Sequence, residues 1–248
     1  MAKPAPEIQL QHEFGTVYAN PGYSAGYGIE VSQPGTYELK TSSGRTLKVE
    51  VPALPDPIEI EGPWELEFAA GLGAPRRMTL DRLISWTSHS DPGVKYFSGV
   101  ASYFRKFELP ARVLAKDRRR LDLDLGRVSV IAQVKLNGRD LGILWKPPFR
   151  ADVTNILRAG ANDLVVSVVN LWPNRLIGDE QLSSDREWKP QHWGEVLARY
   201  PKWLLENKPS PTGRVTFTTW KHWSKDDPLM ESGLLGPVRI ISRARVST

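Results

Sequence analysis

Six of the chain's nine tryptophans fall in one stretch: Trp172, Trp188, Trp193, Trp203, Trp220 and Trp223. Interleaved with them are Asn170, Asn174, Arg175, Asp179, Glu180, Asp185, Arg186 and Glu187. A β protein filling only its core would draw on Val, Ile, Leu and Phe, which bring no indole N–H that needs a partner. Flat aromatic faces among carboxylates, amides and guanidinium groups suit a sugar surface. The rings stack on the C–H side of a pyranose while the polar groups bond its hydroxyls. Loop packing uses tryptophan equally well, and both uses stay open at each position.

The densest constellation is Asn170-Leu-Trp-Pro-Asn-Arg-Leu-Ile-Gly-Asp-Glu. Trp172 offers a stacking face, and Asn174 and Arg175 offer donors suited to vicinal hydroxyls or a carboxylate. Asp179 and Glu180 accept hydroxyl protons. An Arg175–Asp179 ion pair pinning the loop to a strand end is the competing reading, and the two roles can coexist. Trp145, followed by Lys146, Pro147 and Pro148, forms either one wall of the same cleft or an aromatic lid. Trp188, Trp193, Trp220 and Trp223 complete the candidate ligand-binding set.

Glycoside hydrolysis needs two carboxyl groups, about 5 Å apart for retention or about 6.5 to 9.5 Å apart for inversion. Asp179, Glu180 and Glu195 are the candidate catalytic carboxylates, with Asp185 and Glu187 as further members of the segment. One of them must be kept protonated by apolar neighbours, which tryptophans can supply. β-Elimination from a uronate polymer would instead call on Tyr200, His192 and Arg175. His192 and His222, with Glu195 and Asp226 or Asp227, lack the one-turn or alternate-strand spacing of a zinc site. No metal or other cofactor is expected, apart from a structural calcium if Asp152, Asp163 and Asp179 converge.

Bulk properties narrow the partners. The chain has 248 residues, enough for one large all-β domain, and contains no cysteine, which excludes a thiol nucleophile and a zinc-thiolate site. Its formal charge of +5 is spread along the sequence, with one knot at Lys116, Arg118, Arg119 and Arg120. That knot runs straight into Leu121-Asp-Leu-Asp-Leu, far from the aromatics, so it fits a solvated strand start and not a nucleic-acid stripe. Met1-Ala-Lys-Pro-Ala-Pro has no apolar run for a signal peptide or a membrane span. The expectation is a soluble chain without a membrane or nucleic-acid partner, its compartment unassigned.

The elements that must position these groups read as strands. Residues 1–54 resemble a small β meander, with strands at Tyr27–Ser32, Thr36–Lys40 and Arg45–Val51 and turns at Gln33-Pro-Gly and Ser42-Ser-Gly. Pro52-Ala-Leu-Pro-Asp-Pro is a stiff connector. Residues 55–248 form the second unit, with strands expected at Trp64–Phe68, Ala101–Leu109, Arg119–Leu125, Ser129–Leu136, Asp163–Asn170, Arg214–Trp220 and Pro237–Ser242. Asp152 or Thr154 caps a single helical turn that stops at Gly160. A loop near Leu80–Gly99 and an insertion over 171–213 remain, the latter with room for a short helix within Glu195–Leu205. Loops of that length in a compact domain carry function or hidden elements.

Several motifs together carry a family resemblance. They are Tyr96-Phe-Ser-Gly-Val-Ala-Ser-Tyr-Phe-Arg-Lys-Phe, Leu123-Asp-Leu-Gly-Arg-Val, Val134-Lys-Leu-Asn-Gly-Arg-Asp-Leu-Gly-Ile-Leu-Trp-Lys-Pro-Pro-Phe, Asp152-Val-Thr and Gly160-Ala-Asn-Asp-Leu-Val-Val-Ser-Val-Val-Asn. As a set they resemble the sugar-binding-like jelly-roll domain of glycoside hydrolase family 2. With Asn170-Leu-Trp-Pro-Asn-Arg-Leu-Ile-Gly-Asp and Ser232-Gly-Leu-Leu-Gly-Pro-Val added, they look like the C-terminal β-sandwich region of family 106 α-L-rhamnosidases. The resemblance implies an all-β jelly roll and an oligosaccharide or polysaccharide partner. In such enzymes the catalytic carboxylates usually sit on a separate α/β barrel, so it favours a carbohydrate-binding accessory module partnered by a catalytic domain. The alternative is a small glycoside hydrolase, rhamnosidase-like or acting on a uronate-containing glycan, with a carboxylate pair in the aromatic segment. Self-association through the tryptophans is a third use of the same surface.

Overall fold

The computed structural model describes residues 9–10, 28–31, 33–40, 46–114 and 119–247. The expected Ser42–Gly44 turn, and Lys116 and Arg118 of the basic knot, lie outside the described residues. In chain order the strands are β1 (Gln9–Leu10), β2 (Gly28–Val31), β3 (Gly35–Lys40), β4 (Thr46–Val51), β5 (Ile58–Glu59), β6 (Trp64–Phe68), β7 (Arg77–Leu80), β8 (Val100–Leu109) and β9 (Arg119–Asp124). They continue with β10 (Arg127–Ser129), β11 (Ile131–Leu136), β12 (Arg139–Leu144), β13 (Arg150–Asp152), β14 (Gly160–Val169), β15 (Trp188–Gln191), β16 (Gly194–Leu197), β17 (Gly233–Gly236) and β18 (Arg239–Ser247). Three short helices, α1 (Pro92–Lys95), α2 (Pro173–Asp179) and α3 (Lys202–Leu205), lie between strands.

The architecture is the antiparallel β-sandwich that the alternation predicts. One sheet runs β12-β11-β14-β8-β6-β7; the other runs β13-β9-β18-β2, with β5 also paired to β18. Period-two patterning sets the faces: in β11, Ala132, Val134 and Leu136 are fully buried while Ile131, Gln133 and Lys135 are exposed. Between the sheets, Leu66, Tyr103, Val134, Val166 and Val168 pack with Leu121, Leu123 and Ile240 in a single core. The Asn137-Gly138 turn joins β11 to β12 with both residues at positive φ, and Asn137 anchors it by donating to Ile156 O and to Asn162 Oδ1, each at 2.9 Å. Asp152 caps the turn after β13 by accepting from Thr154 N at 3.0 Å.

Three features depart from expectation. β3 and β4 form the expected hairpin, but β2 leaves it and pairs with β18 in the sandwich. The 80–99 connection is no open loop. It folds inward, burying Trp86, Val94 and Phe97 over the sandwich end. Trp86 Nε1 donates to Tyr103 Oη at 2.6 Å, and the same oxygen accepts from Leu234 N at 3.0 Å, so two buried aromatics are satisfied together. Finally, Arg214–Trp220 forms no strand; it contributes one isolated bridge, Val196↔Trp220. Its backbone is drawn instead onto side chains of the aromatic segment, described next.

Candidate functional site

The aromatic segment leaves the sandwich at Asn170, immediately after β14. Asn170 is buried and accepts from Gly99 N at 2.9 Å while donating to Phe97 O at 2.8 Å and Ser232 Oγ at 3.1 Å. Asn174, also buried, donates to Met230 O at 2.7 Å and Ser232 Oγ at 2.9 Å and accepts from Met230 N at 2.8 Å. These two amides stitch three chain segments into one joint. Pro173 starts α2 at the position where its missing N–H costs nothing. Beside this joint, Leu171, Pro173, Asn174 and Met230 line a cavity of about 350 Å³.

Within α2, Arg175 and Asp179 are one helical turn apart, and Arg175 Nη2 lies 3.0 Å from Asp179 Oδ1. The contact is an ion pair set off the hydrogen-bonding direction, leaving Oδ1 and Arg175 Nε without a hydrogen bond among the described residues. Asp179 Oδ2 is fully engaged: it accepts from Val215 N at 3.0 Å and from Thr216 N and Oγ1 at 2.7 Å each. Gly178 is required by crowding, since a Cβ there would stand 2.5 Å from Tyr96 Cβ and 2.6 Å from Arg175 Nη2.

A second buried cluster holds the middle of the segment. Arg214 Nη1 meets Glu180 Oε1 at 2.7 Å, and its Nε lies 3.9 Å from Asp185 Oδ1. Asp185 is bonded by Arg186 Nε at 2.8 Å and by the Ser210 hydroxyl at 2.6 Å. Burial opposes ionisation of Asp185, but the Ser210 hydroxyl and the Arg186 and Arg214 guanidiniums outweigh it and hold its carboxyl below the usual value. Arg186 reaches the carbonyls of Thr216 and Thr218 at 3.2 and 3.3 Å and lies over the Phe217 and Trp188 rings, 4.8 and 5.7 Å from their centroids. Trp203 completes this packing, donating to Asp185 O at 3.2 Å and meeting Phe217 edge-on. Arg214, Ser210 and Ser232 carry no sequence signal for these roles, because the partners they meet there lie 25 to 62 positions away.

Beyond the clusters stands a hairpin. β15 and β16 pair through the His192-Trp193 turn, and Thr219–Lys221 joins their edge through Leu197 N to Thr219 O at 2.8 Å and Lys221 N to Glu195 O at 3.0 Å. That third segment brings Trp220 against Trp193, edge-on at 5.1 Å, and His222 lies 3.8 Å from the Trp220 ring. Trp193 is 51% and Trp220 39% exposed, so the pair presents aromatic faces to solvent. Glu195 pairs across the strands with Lys221 Nζ at 3.0 Å, its side chain 47% exposed, and since Val196 is the residue opposite Trp220, Glu195 lies on the other face of the strand. Trp145 is exposed after β12 beneath the Lys146 ammonium, Trp172 is exposed at the start of α2, and Trp223 is half-buried.

The structure therefore brings Trp193 and Trp220 together in one place, and Asn174, Arg175 and Asp179 in another, while Glu195 stands on the opposite face of its strand from Trp220. Glu187 and Glu195 are not paired. Pro190 stands opposite Glu195, and Glu187, three residues before Pro190 and paired there with Arg199, projects from the other face of the hairpin. No group of three or more His, Asp or Glu residues is placed to hold a metal among the described residues. Nor is any helix among them long and apolar enough to cross a membrane.

No family model matches the chain. It is 48% identical over 207 residues, 84% of its length, to a protein of Formosa agariphila that bears the description of a candidate beta-glucuronidase. A rhamnosidase from Novosphingobium sp. PP1Y superposes over 97% of the chain with a TM-score of 0.61 and 27% identity. A Faecalibacterium prausnitzii beta-glucuronidase matches 80% of the chain with a TM-score of 0.50 and 19% identity, a likeness of fold. The fold is a β-sandwich shared with glucuronidases and a rhamnosidase. The chain spans 17% of the Formosa protein and 25% of the rhamnosidase chain.

Proposed function

We propose that the chain works in glycoside hydrolysis, on a glycan carrying glucuronate or rhamnose. The observation that carries this is the 48% identity across 84% of the chain to the Formosa protein. Trp193 and Trp220 receive the sugar ring, and Glu195, on the same hairpin but facing the other side with its side chain open to solvent, offers one of the two carboxyl groups that hydrolysis needs. Asp179 and Glu180, bound to Thr216 and Arg214, hold the segment in place. Trp172, Asn174 and Arg175 form its root, and Trp145, Trp188 and Trp223 serve as outer contacts. The finer kinship to the C-terminal sandwich of family 106 rhamnosidases draws support from the joint built by Asn170, Asn174 and Ser232, which lie in the two motifs that distinguish it.

A second reading, a carbohydrate-binding module serving a catalytic domain, is favoured by one specific observation: two carboxylates of the aromatic segment with buried side chains, Asp179 and Asp185, are spent on structure. One experiment separates the two. The chain is incubated with an aryl β-glucuronide and an aryl α-L-rhamnoside while aryl release and tryptophan quenching are followed. Hydrolysis predicts release that falls at least about a hundredfold in Glu195→Gln with quenching retained. Quenching without release by the unaltered chain would sink the hydrolytic reading and leave the binding one.

A further inference from the structure

The structure assigns a second saccharide site to the outward face of the six-stranded sheet, one selective for a neutral pyranose. It rests on the reading of glycans as the ligand class but shares no residue with the aromatic segment. At the β7 edge, Glu65 stands between Thr79 and Phe104 in one cross-strand row, and Glu67 stands between Arg77 and Ser102 in the next. Alternate residues of β6 share a face, so both carboxylates point outward, and neighbours across the strands have Cβ atoms about 5 Å apart. Glu65, Glu67, Arg77, Thr79 and Phe104 enclose a depression of about 480 Å³, within the size range of small-ligand sites.

The chemistry of the depression selects its occupant. Phe104 is half-buried, and its remaining ring surface offers an apolar floor for one side of a pyranose. Glu67 is held by Arg77 Nη2 at 3.3 Å and Arg76 Nε at 3.5 Å, so its orientation is set before any ligand arrives. Glu65 has neither a hydrogen bond nor an ion pair among the described residues, and its carboxylate is free to accept hydroxyl protons in charge-assisted bonds. Thr79 adds a hydroxyl that donates or accepts. Arg76 and Arg77 balance the charge of Glu67, so it is the unpaired Glu65 carboxylate that disfavours an anionic group set directly against it. The occupant is a hydroxyl-rich sugar without a carboxylate.

Methyl β-D-glucopyranoside and methyl β-D-glucuronide differ only in the group at C6, which makes them the probes. The 15N-labelled full chain is titrated with each, and amide shifts are followed. The glucopyranoside is expected to shift the amides of residues 65–67, 77–79 and 104 saturably. Glu65→Ala should weaken that response about tenfold or more, and Trp193→Ala should leave it unchanged. The glucuronide should leave those amides still. Equal response to both probes, or a glucopyranoside response indifferent to Glu65→Ala, would overturn the assignment. Silence at 65–67 and 77–79 with perturbation near Trp193 and Trp220 would overturn the second site alone. Perturbation at 65–67 and 77–79 with none near Trp193 would uphold the second site and count against the aromatic surface.

Discussion

Asp179 divides its carboxylate between two tasks, one oxygen gathering three donors from Val215 and Thr216 and the other facing Arg175. Asparagine in its place keeps an acceptor for the backbone but leaves the buried Arg175 guanidinium without a counter-charge. Breaking a buried pair from one side costs about 3 to 5 kcal/mol. Asp179→Asn is therefore expected to lower the unfolding free energy read from denaturant melts by most of that amount at neutral pH. Glu195→Gln, at an exposed pair, should move it by less than about 1 kcal/mol. The Arg175–Asp179 pair was legible in sequence because two opposite charges stand four residues apart in the same short motif. The three donors on the other oxygen were not, since 36 and 37 residues separate Asp179 from Val215 and Thr216 and no local period links them.

At the scale of elements, legibility follows length and periodicity. β8, β11 and β14 alternate over six to ten residues and bury one face, so the pattern declares them. α2, of seven residues, and the β15–β16 hairpin of two four-residue strands, one containing Pro190, are too short or irregular for either period to emerge. Polar side chains, more than strand propensity, hold them, and this has a pH consequence. Asp185 ionises more readily in the fold than in the open chain, so its contribution is complete above the ordinary aspartate value near about 3.9 and is lost as pH falls through its lowered folded value. The stability gap between the unaltered chain and Asp185→Asn is expected to be constant near neutrality and to close below about pH 4. Denaturant melts monitored by tryptophan emission at each pH would show it; a gap independent of pH contradicts the assignment.

For the whole molecule, the two-sheet plan could be argued from alternation and turn chemistry, because burying one face of each strand leaves few arrangements. Which strands meet could not. The pairing of β2 with β18, and the inward turn of the connection carrying Trp86, which bonds Ser232 through Ser85 Oγ and Trp86 N, depend on partners more than a hundred residues apart. The same long reach joins the aromatic segment to the sandwich end, since Asn170 and Asn174 receive the amides of Gly99 and Met230, as Asp179 receives those of Val215 and Thr216. Such amides lie outside any strand yet are each hydrogen-bonded by a side chain of another segment. In deuterated buffer they should exchange as slowly as the central amides of β14, and at one common rate, because releasing any of them requires the joint to open. Exchange at loop-like rates for Val215 and Thr216 would show a segment that lifts away alone. Slow, shared exchange would make the tryptophan-bearing region kinetically one body with the sheets beneath it, so that a ligand held there is felt at the sandwich core.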